Sequence, residues 1–199
     1  MLTNVSEEYI DKPRAIAHRL RSIVFSAIVL FGSLTGLCYA ADSPVWPTPT
    51  HAVDVPHEGM PTADEIATVV SARFHIGLHD ALEIGHAVLN AARRYTISPL
   101  LLLAVIAVES SFDRFAESVV GAKGLMQVLP SQHVDRVLRT SDLTDARTNV
   151  HIGSAILQDY IRASGGNIDD ALSRYSGGAK GYARRVADCL NMMKAEFGL

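Results

Sequence analysis

The chain has 199 residues, with 18 Lys+Arg and 21 Asp+Glu, which gives a formal net charge of −3. This charge argues against nucleic acid as a partner, because binding to phosphates requires a basic surface. Hydrophobic residues make up 48% of the sequence, enough for a buried core. The length corresponds to one domain of ordinary size with additional segments.

Residues 1–40 have the three-part pattern of a secretory signal peptide. Basic residues up to Arg21 precede a mostly apolar run over 23–37, and Cys38 and Ala40 supply small residues before an expected cleavage after Ala40. A retained membrane anchor is the alternative, but the run is short for a bilayer span, which takes about 20 residues. We therefore expect an exported protein that is periplasmic or secreted.

Residues 41–61 are dense in proline, which predicts an extended linker ahead of a domain over 62–199. Thr62 is predicted to cap the first helix, with Glu65 at the capping-box position. Asp80 is predicted to cap a second helix that runs to about Tyr95.

Four potential metal ligands recur at steps of four, four and three residues in this region: His75, His79, Glu83 and His86. On one continuous helix they would share a face, which is a metal-like arrangement. Gly77 argues that the helix is broken after His75, and four ligands from one helix rarely converge on one ion. We therefore expect no metal site here.

An uninterrupted apolar run extends from Leu100 to Val108, behind Ser98 as N-cap and Pro99 at the first helical position. A helix that is apolar all round is buried. Glu109 ends this run in a low-dielectric setting and at the helix end that disfavours anions, and both effects raise a carboxyl pKa. A carboxyl partly protonated near neutral pH suits a general acid. The plain alternative is that Glu109 leaves the core for solvent.

Further elements follow this helix. A loop is predicted over 113–123, and then comes an apolar stretch in which Gln127 is the one polar side chain. Asn149 is predicted to cap a helix that ends at Gly165 and Gly166, and Asn167 to cap a short helix. A last helix is predicted from about Ala179 to Phe197, with Tyr182 on its apolar face.

Three motifs follow one another along the chain: Glu109-Ser110, the Gly-Leu-Met-Gln sequence ending at Gln127, and Ala-Leu-x-x-Tyr ending at Tyr175. Together they resemble the catalytic core of the lytic transglycosylase family, the soluble-lytic-transglycosylase domain related to goose-type lysozyme. The resemblance covers about residues 82–190, which implies that the domain over 62–199 is a catalytic domain with its core there. In the third motif Ser176 stands where asparagine is usual. Taken together, the spacing and order of the motifs make the resemblance specific.

The resemblance implies an all-α, lysozyme-like single globular domain with a substrate cleft. Glu109 is then the catalytic acid, and Ser118, Gln127 and Tyr175 are substrate-binding residues, with Tyr175 expected to reach toward the glutamate. No metal or organic cofactor is implied. The expected partner is the peptidoglycan glycan strand, and the expected state is a monomer.

The resemblance also implies non-hydrolytic cleavage of the bond between N-acetylmuramic acid and N-acetylglucosamine, which leaves 1,6-anhydro ends. Opening the wall for a secretion or conjugation apparatus is one role for such an enzyme, and general wall turnover is another. The first alternative is a hydrolytic muramidase on the same fold, with Asp113 or Glu117 orienting water. The second is a non-catalytic module that binds peptidoglycan.

Overall fold

The computed structural model describes residues 60–138 and 142–199, so the expected signal peptide and most of the expected linker lie outside the described residues. Within these ranges the chain forms helices and no β-strand, which confirms the predicted all-α class. The helices are α1 (Ala63–Phe74), α2 (Leu78–Tyr95), α3 (Pro99–Ser110), α4 (Val134–Val137), α5 (Ala146–Ala163), α6 (Ile168–Tyr175) and α7 (Tyr182–Glu196). None of them, in this part of the chain, has the length and apolarity needed to cross a membrane.

Helix α3 forms the centre of the hydrophobic core. All of its residues from Leu100 to Ala107 are buried, as the uninterrupted apolar run predicted. It packs against both α2 and α7, while α5 packs against α2 and α6. Because α3 has no polar face, these neighbours must surround it, and its C-terminal end is where Glu109 leaves the core.

The start of the domain follows the sequence prediction at one cap and departs from it at the next. The capping box is confirmed: Thr62 Oγ1 accepts from the Glu65 backbone N–H at 3.2 Å, and the Glu65 carboxylate accepts from the Thr62 N–H at 2.8 Å. The predicted cap at Asp80 is wrong, because α2 begins at Leu78 with Gly77 as N-cap. Asp80 instead lies in the first turn, where an acidic side chain complements the helix dipole.

The break between α1 and α2 separates the histidines. Helix α1 ends at Phe74, and His75 adopts a left-handed conformation with φ of 58°, as the predicted interruption requires. His79 Nε2 lies 3.7 Å from a carboxylate oxygen of Glu83. Across residues 60–138 and 142–199, no group of three or more His, Cys, Asp or Glu side chains is arranged to hold a metal ion.

The predicted cap at Asn149 is also wrong. Helix α5 begins at Ala146, and its N-cap is Asp145, whose carboxylate accepts from the Thr148 N–H at 2.7 Å. Asn149 lies inside the first turn and is fully buried. The cap of α6 is confirmed, since the Asn167 side chain accepts from the Asp170 N–H at 3.1 Å.

Gly153 allows α5 to approach the loop that follows α3. A Cβ atom at this position would lie 2.6 Å from the Met126 Cβ and 2.7 Å from its sulfur. Both residues are buried, and the nearest atom belongs to the fixed base of the methionine side chain. An alanine here therefore forces the loop away from α5.

We expect Gly153→Ala to lower the free energy of unfolding by about 2 kcal/mol, because overpacking a close contact displaces backbone. The matched control is Gly77→Ala, where nothing lies within 4 Å of the added Cβ. We expect that control to change stability by less than about 1 kcal/mol. Urea unfolding of the three proteins measures both effects, and an equal loss in the two variants would contradict the packing argument.

Candidate active site

A cleft of about 630 Å³ is lined by the loop after α3, by one side of α5 and by the C-terminal end of α6. The structure brings together in this cleft all four residues singled out from the sequence: Glu109, Ser118, Gln127 and Tyr175. These residues come from three separate segments of the chain. The fold therefore assembles one concave site from the three motifs.

Glu109 lies at the end of α3 and is partly buried. The hydroxyl of Tyr182 donates a hydrogen bond to its Oε1 at 2.6 Å. Burial raises the pKa of the Glu109 carboxyl from 4.5 to about 7, although the Tyr182 hydrogen bond and the positive charge of Arg185 both oppose this rise. At neutral pH both protonation states are therefore well populated, which suits a group that donates a proton and later accepts one.

Tyr182 is the site residue that the sequence analysis missed. It is the first residue of α7, its side chain is fully buried, and the Arg185 guanidinium lies 5.6 Å from the centre of its ring. Burial, and then the nearby charge of Glu109, raise the pKa of its hydroxyl, so the group stays protonated as a donor. Its place in the apolar stripe of the last helix indicated a core residue. The one available signal was that a buried tyrosine hydroxyl needs a partner.

Tyr175 lines the cleft, but its hydroxyl is directed elsewhere. It donates to the backbone carbonyl of Met126 at 2.8 Å, and its ring makes an edge-to-face contact with Tyr160 at 6.4 Å between centroids. Burial, with a smaller contribution from the negative charge of Glu109, raises the pKa of the Tyr175 hydroxyl, so this group stays protonated as a donor. The tyrosine hydroxyl that donates to Glu109 belongs to Tyr182.

Gln127 lies in a tight turn whose backbone is strained. It has a φ of 47°, in the left-handed region that favours glycine, and the turn is closed by paired backbone hydrogen bonds between Lys123 and Val128 at 2.9 and 3.0 Å. The Gln127 side-chain amide donates to the carbonyls of Ala116 and Gly124, each at 3.1 Å. These bonds hold the side chain across the loop, at the cleft surface.

Asn149 fastens this turn to α5. Its Oδ1 accepts from the Met126 N–H at 2.8 Å, and its Nδ2 donates to the carbonyls of Lys123 at 2.8 Å and Leu143 at 2.9 Å. A Cβ at Gly124 would lie 2.3 Å from the same Nδ2, so only glycine permits the approach. The buried asparagine is therefore a positioning residue for the cleft wall.

Two serines of the cleft use their hydroxyls to shape the backbone. Ser118 Oγ accepts from the Ala122 N–H at 3.0 Å and so closes a turn on the cleft rim. Ser176 is buried, and its hydroxyl donates to the carbonyl of Ser173 at 3.0 Å, within the C-terminal end of α6. The Ser176 hydroxyl thus pairs with a backbone carbonyl at the end of α6, and Ser176 also lines the cleft.

The two carboxylates proposed for a hydrolytic mechanism lie outside the cleft lining. Asp113 Oδ1 accepts from the Phe115 N–H at 2.9 Å, in a local turn. Glu117 is exposed, and its carboxylate lies 3.5 Å from Lys123 Nζ. Among the described residues that line the cleft, Glu109 is the one carboxylate.

The family model described as "Transglycosylase SLT domain" matches residues 86–190, just over half of the chain. The chain belongs to this family. The match confirms the resemblance drawn from the three motifs, and it makes the helical architecture that of the lysozyme-like SLT domain.

One similar curated protein is the "Transglycosylase" of Enterobacteria phage PRD1. It is 29% identical to this SLT domain over 117 residues, which cover 54% of this chain and 43% of the phage protein. The matched region therefore spans less than half the length of that relative.

We expect Glu109→Gln to stabilise the protein at pH 8 and to change its stability little at pH 4. The carboxyl ionises near 4.5 in the unfolded chain and near 7 in the folded one. The wild-type protein therefore loses roughly 3 kcal/mol relative to this variant as the pH rises through that interval. Glutamine cannot ionise, so the variant lacks this loss.

Urea unfolding at pH 4 and pH 8 measures the difference between the two proteins. Glu117→Gln is the control, because Glu117 is exposed and lies outside the cleft lining. If Glu109→Gln kept the pH dependence of the wild-type protein, the carboxyl would not have the raised pKa.

Proposed function

We propose that this SLT domain is a peptidoglycan lytic transglycosylase. It cleaves the β-1,4 bond between N-acetylmuramic acid and N-acetylglucosamine and leaves a 1,6-anhydro end. The observation that carries the proposal is that Glu109 is the one carboxylate among the described residues that line the cleft. Most glycosidases use two carboxylates, one as acid and one as base or nucleophile. A single acid suffices when the substrate supplies the nucleophile.

In the first step the protonated Glu109 carboxyl donates its proton to the glycosidic oxygen. The bond between that oxygen and the muramoyl C1 breaks, and the N-acetyl group of the same sugar supports the positive charge that develops at C1. A pKa of about 7 keeps a substantial protonated fraction at neutral pH. A carboxyl with its ordinary pKa would have lost the proton almost completely.

In the second step the Glu109 carboxylate removes the proton from the muramoyl C6 hydroxyl, whose oxygen bonds to C1. This closes the anhydro ring, consumes no water and returns Glu109 to its protonated state. One side chain therefore acts as acid and then as base, for which a pKa near the working pH is the best compromise. The Tyr182 hydroxyl, at 2.6 Å, orients the carboxyl and keeps its pKa from rising further.

We propose that Ser118, Gln127 and Tyr175 position the glycan strand in the cleft. What supports this is their common place in the cleft lining. Hydrogen bonds hold the Ser118 turn and the Gln127 side chain in place before a substrate arrives, which reduces the entropy lost on binding.

We also propose that the protein is exported and acts, as a monomer, on the cell wall in the periplasm or outside the cell. The signal-peptide pattern of residues 1–40 supports this proposal. Opening the wall locally for a secretion or conjugation apparatus is one role we propose for this activity, and general wall turnover is the other.

Digestion of purified peptidoglycan, followed by mass spectrometry of the soluble products, tests the reaction. We expect muropeptides that are one water lighter than hydrolysed ones, absent with Glu109→Gln and retained with Glu117→Gln. Products with free reducing ends would replace the proposal with a muramidase. Binding to sacculi without release of fragments from the wild-type protein would replace it with a binding module.

We expect kcat/KM to fall as the pH rises through about 7, because the first step needs the protonated form of Glu109. Tyr182→Phe removes a hydrogen bond that lowers this pKa. The alkaline limb of the profile therefore moves to higher pH, by about half a unit to one unit.

Tyr95→Phe is the matched control, because the Tyr95 hydroxyl contacts His151 and lies outside the cleft lining. We expect it to leave the midpoint of the profile unchanged. A shift to lower pH in Tyr182→Phe would show that the hydroxyl does not stabilise the carboxylate.

A further inference from the structure

The cleft contains one permanent positive charge that the mechanism does not use. Among the described residues that line the cleft, Arg174 is the one lysine or arginine. It lies in the last turn of α6, immediately before Tyr175, and its side chain is exposed. The Arg174 side chain forms no hydrogen bond or ion pair with another described residue. A guanidinium on a cleft wall without a protein partner is available to an anionic group of a ligand.

Other arginines of the domain are paired with carboxylates. The Nη1 of Arg114 lies 3.0 Å from Glu83 Oε2, the Nη1 of Arg73 lies 3.3 Å from Glu196 Oε1, and Arg136 is paired with Asp159. The fold thus places an acidic residue opposite several of its arginines, although not opposite the one in the cleft.

The charge of Arg174 is not the one that lowers the pKa of the proton donor. The cation that lowers the pKa of Glu109 is Arg185, on α7. An arginine close to Glu109 would favour the carboxylate and reduce the protonated fraction needed for the first step. Arg174 lines the same cleft and can attract an anion without this cost.

The proposed substrate carries negative charge on its muramoyl units. The muramoyl sugar bears a lactyl ether at C3, which ends in a carboxylate or, where a peptide stem is attached, continues to the carboxylates of that stem. This substituent projects from a different ring carbon than the C1 bond that is cleaved. N-acetylglucosamine has no such group. The planar guanidinium matches a carboxylate with two parallel hydrogen bonds.

We propose that Arg174 binds the carboxylate of the C3 lactyl arm or of its peptide stem, and so makes the cleft select muramoyl glycans over neutral chitin-type strands. This inference rests on the proposed function, because it names the group by which that substrate is recognised. A cation in the last turn also stabilises α6, because it interacts favourably with the negative end of the helix dipole. Arg162 occupies the equivalent position in the last turn of α5, outside the cleft lining, and is therefore the matched control.

The test measures binding by calorimetry with the full chain carrying Glu109→Gln, so that ligands are not cleaved. The ligands are a muramoyl oligosaccharide with free lactyl carboxylates, the same oligosaccharide with those groups converted to methylamides, and a strand with peptide stems. We expect Arg174→Gln to weaken binding of a carboxylate ligand about fivefold to tenfold. We expect it to have no effect on the methylamide, which completes a double-mutant cycle between protein and ligand.

The ligands distinguish the two sources of the carboxylate. If Arg174→Gln loses affinity for the stem-free acid, the lactyl carboxylate is the group that Arg174 binds. If the loss of affinity is confined to the stem-bearing strand, Arg174 binds a carboxylate of the stem. Arg174→Lys should retain part of the affinity, since it keeps the charge but not the paired hydrogen bonds. Arg162→Gln should bind every ligand as the parent does.

Two results overturn the inference. If the parent binds all ligands and Arg174→Gln changes none of the affinities, or changes acid and amide equally, Arg174 does not recognise a carboxylate while the proposed substrate stands. If the parent binds no muramoyl ligand, the proposed function fails together with this inference.

Discussion

The burial of one carboxyl group is the constraint on which the rest of the site depends. Glu109 lies at the end of a helix with no polar face, and the low polarity of its surroundings raises its pKa to about 7. To keep that helix buried, α2 and α7 must both pack against it. The same packing of α7 brings the Tyr182 hydroxyl to the Glu109 carboxylate. The contacts that bury α3 therefore also place the group that limits the rise in the pKa of Glu109.

Polar contacts hold the part of the cleft wall formed by the turn around Met126 and Gln127. Asn149 binds the turn around Met126 from α5, and the hydroxyl of Ser110 donates to the carbonyl of Leu125 at 2.9 Å from the end of α3. Buried backbone groups must be paired, and here side chains from two helices pair them. The turn is therefore fixed relative to the residue that precedes Ser110, the acid itself. The Glu-Ser and Gly-Leu-Met-Gln sequences are therefore joined by a direct hydrogen bond in the folded domain.

The parts of this structure that follow from local sequence were predictable. The buried helix α3 follows from the apolar run, and the capping box of α1 follows from Thr62 and Glu65, because both signals act within a few residues. The four residues of the cleft were also identified, although through family motifs and not through physical derivation. The choice of Asp80 and Asn149 as caps failed because each residue type also has uses inside a first turn.

The features that were missed depend on contacts between distant segments. Asn149 satisfies carbonyl groups at Lys123 and Leu143, and nothing near it in the chain indicates that they are close. Tyr182 has the spacing of an ordinary core residue, and only the tertiary fold shows that its hydroxyl meets the acid. Burial patterns identify which face of a helix is inward, but they do not identify what a polar atom on that face will meet.

The bond between Tyr182 and Glu109 joins residues 73 positions apart, and it has a consequence for the order in which the molecule becomes competent. Contacts of such long range form late, because the loop between them must close first. Helix α7 supplies the Tyr182 hydroxyl and also covers part of α3, so both contributions to the Glu109 site depend on the same contact between helices. The acid therefore has its hydroxyl donor only when α7 is docked on α3, so any change that loosens the last described helix acts directly on the proton donor.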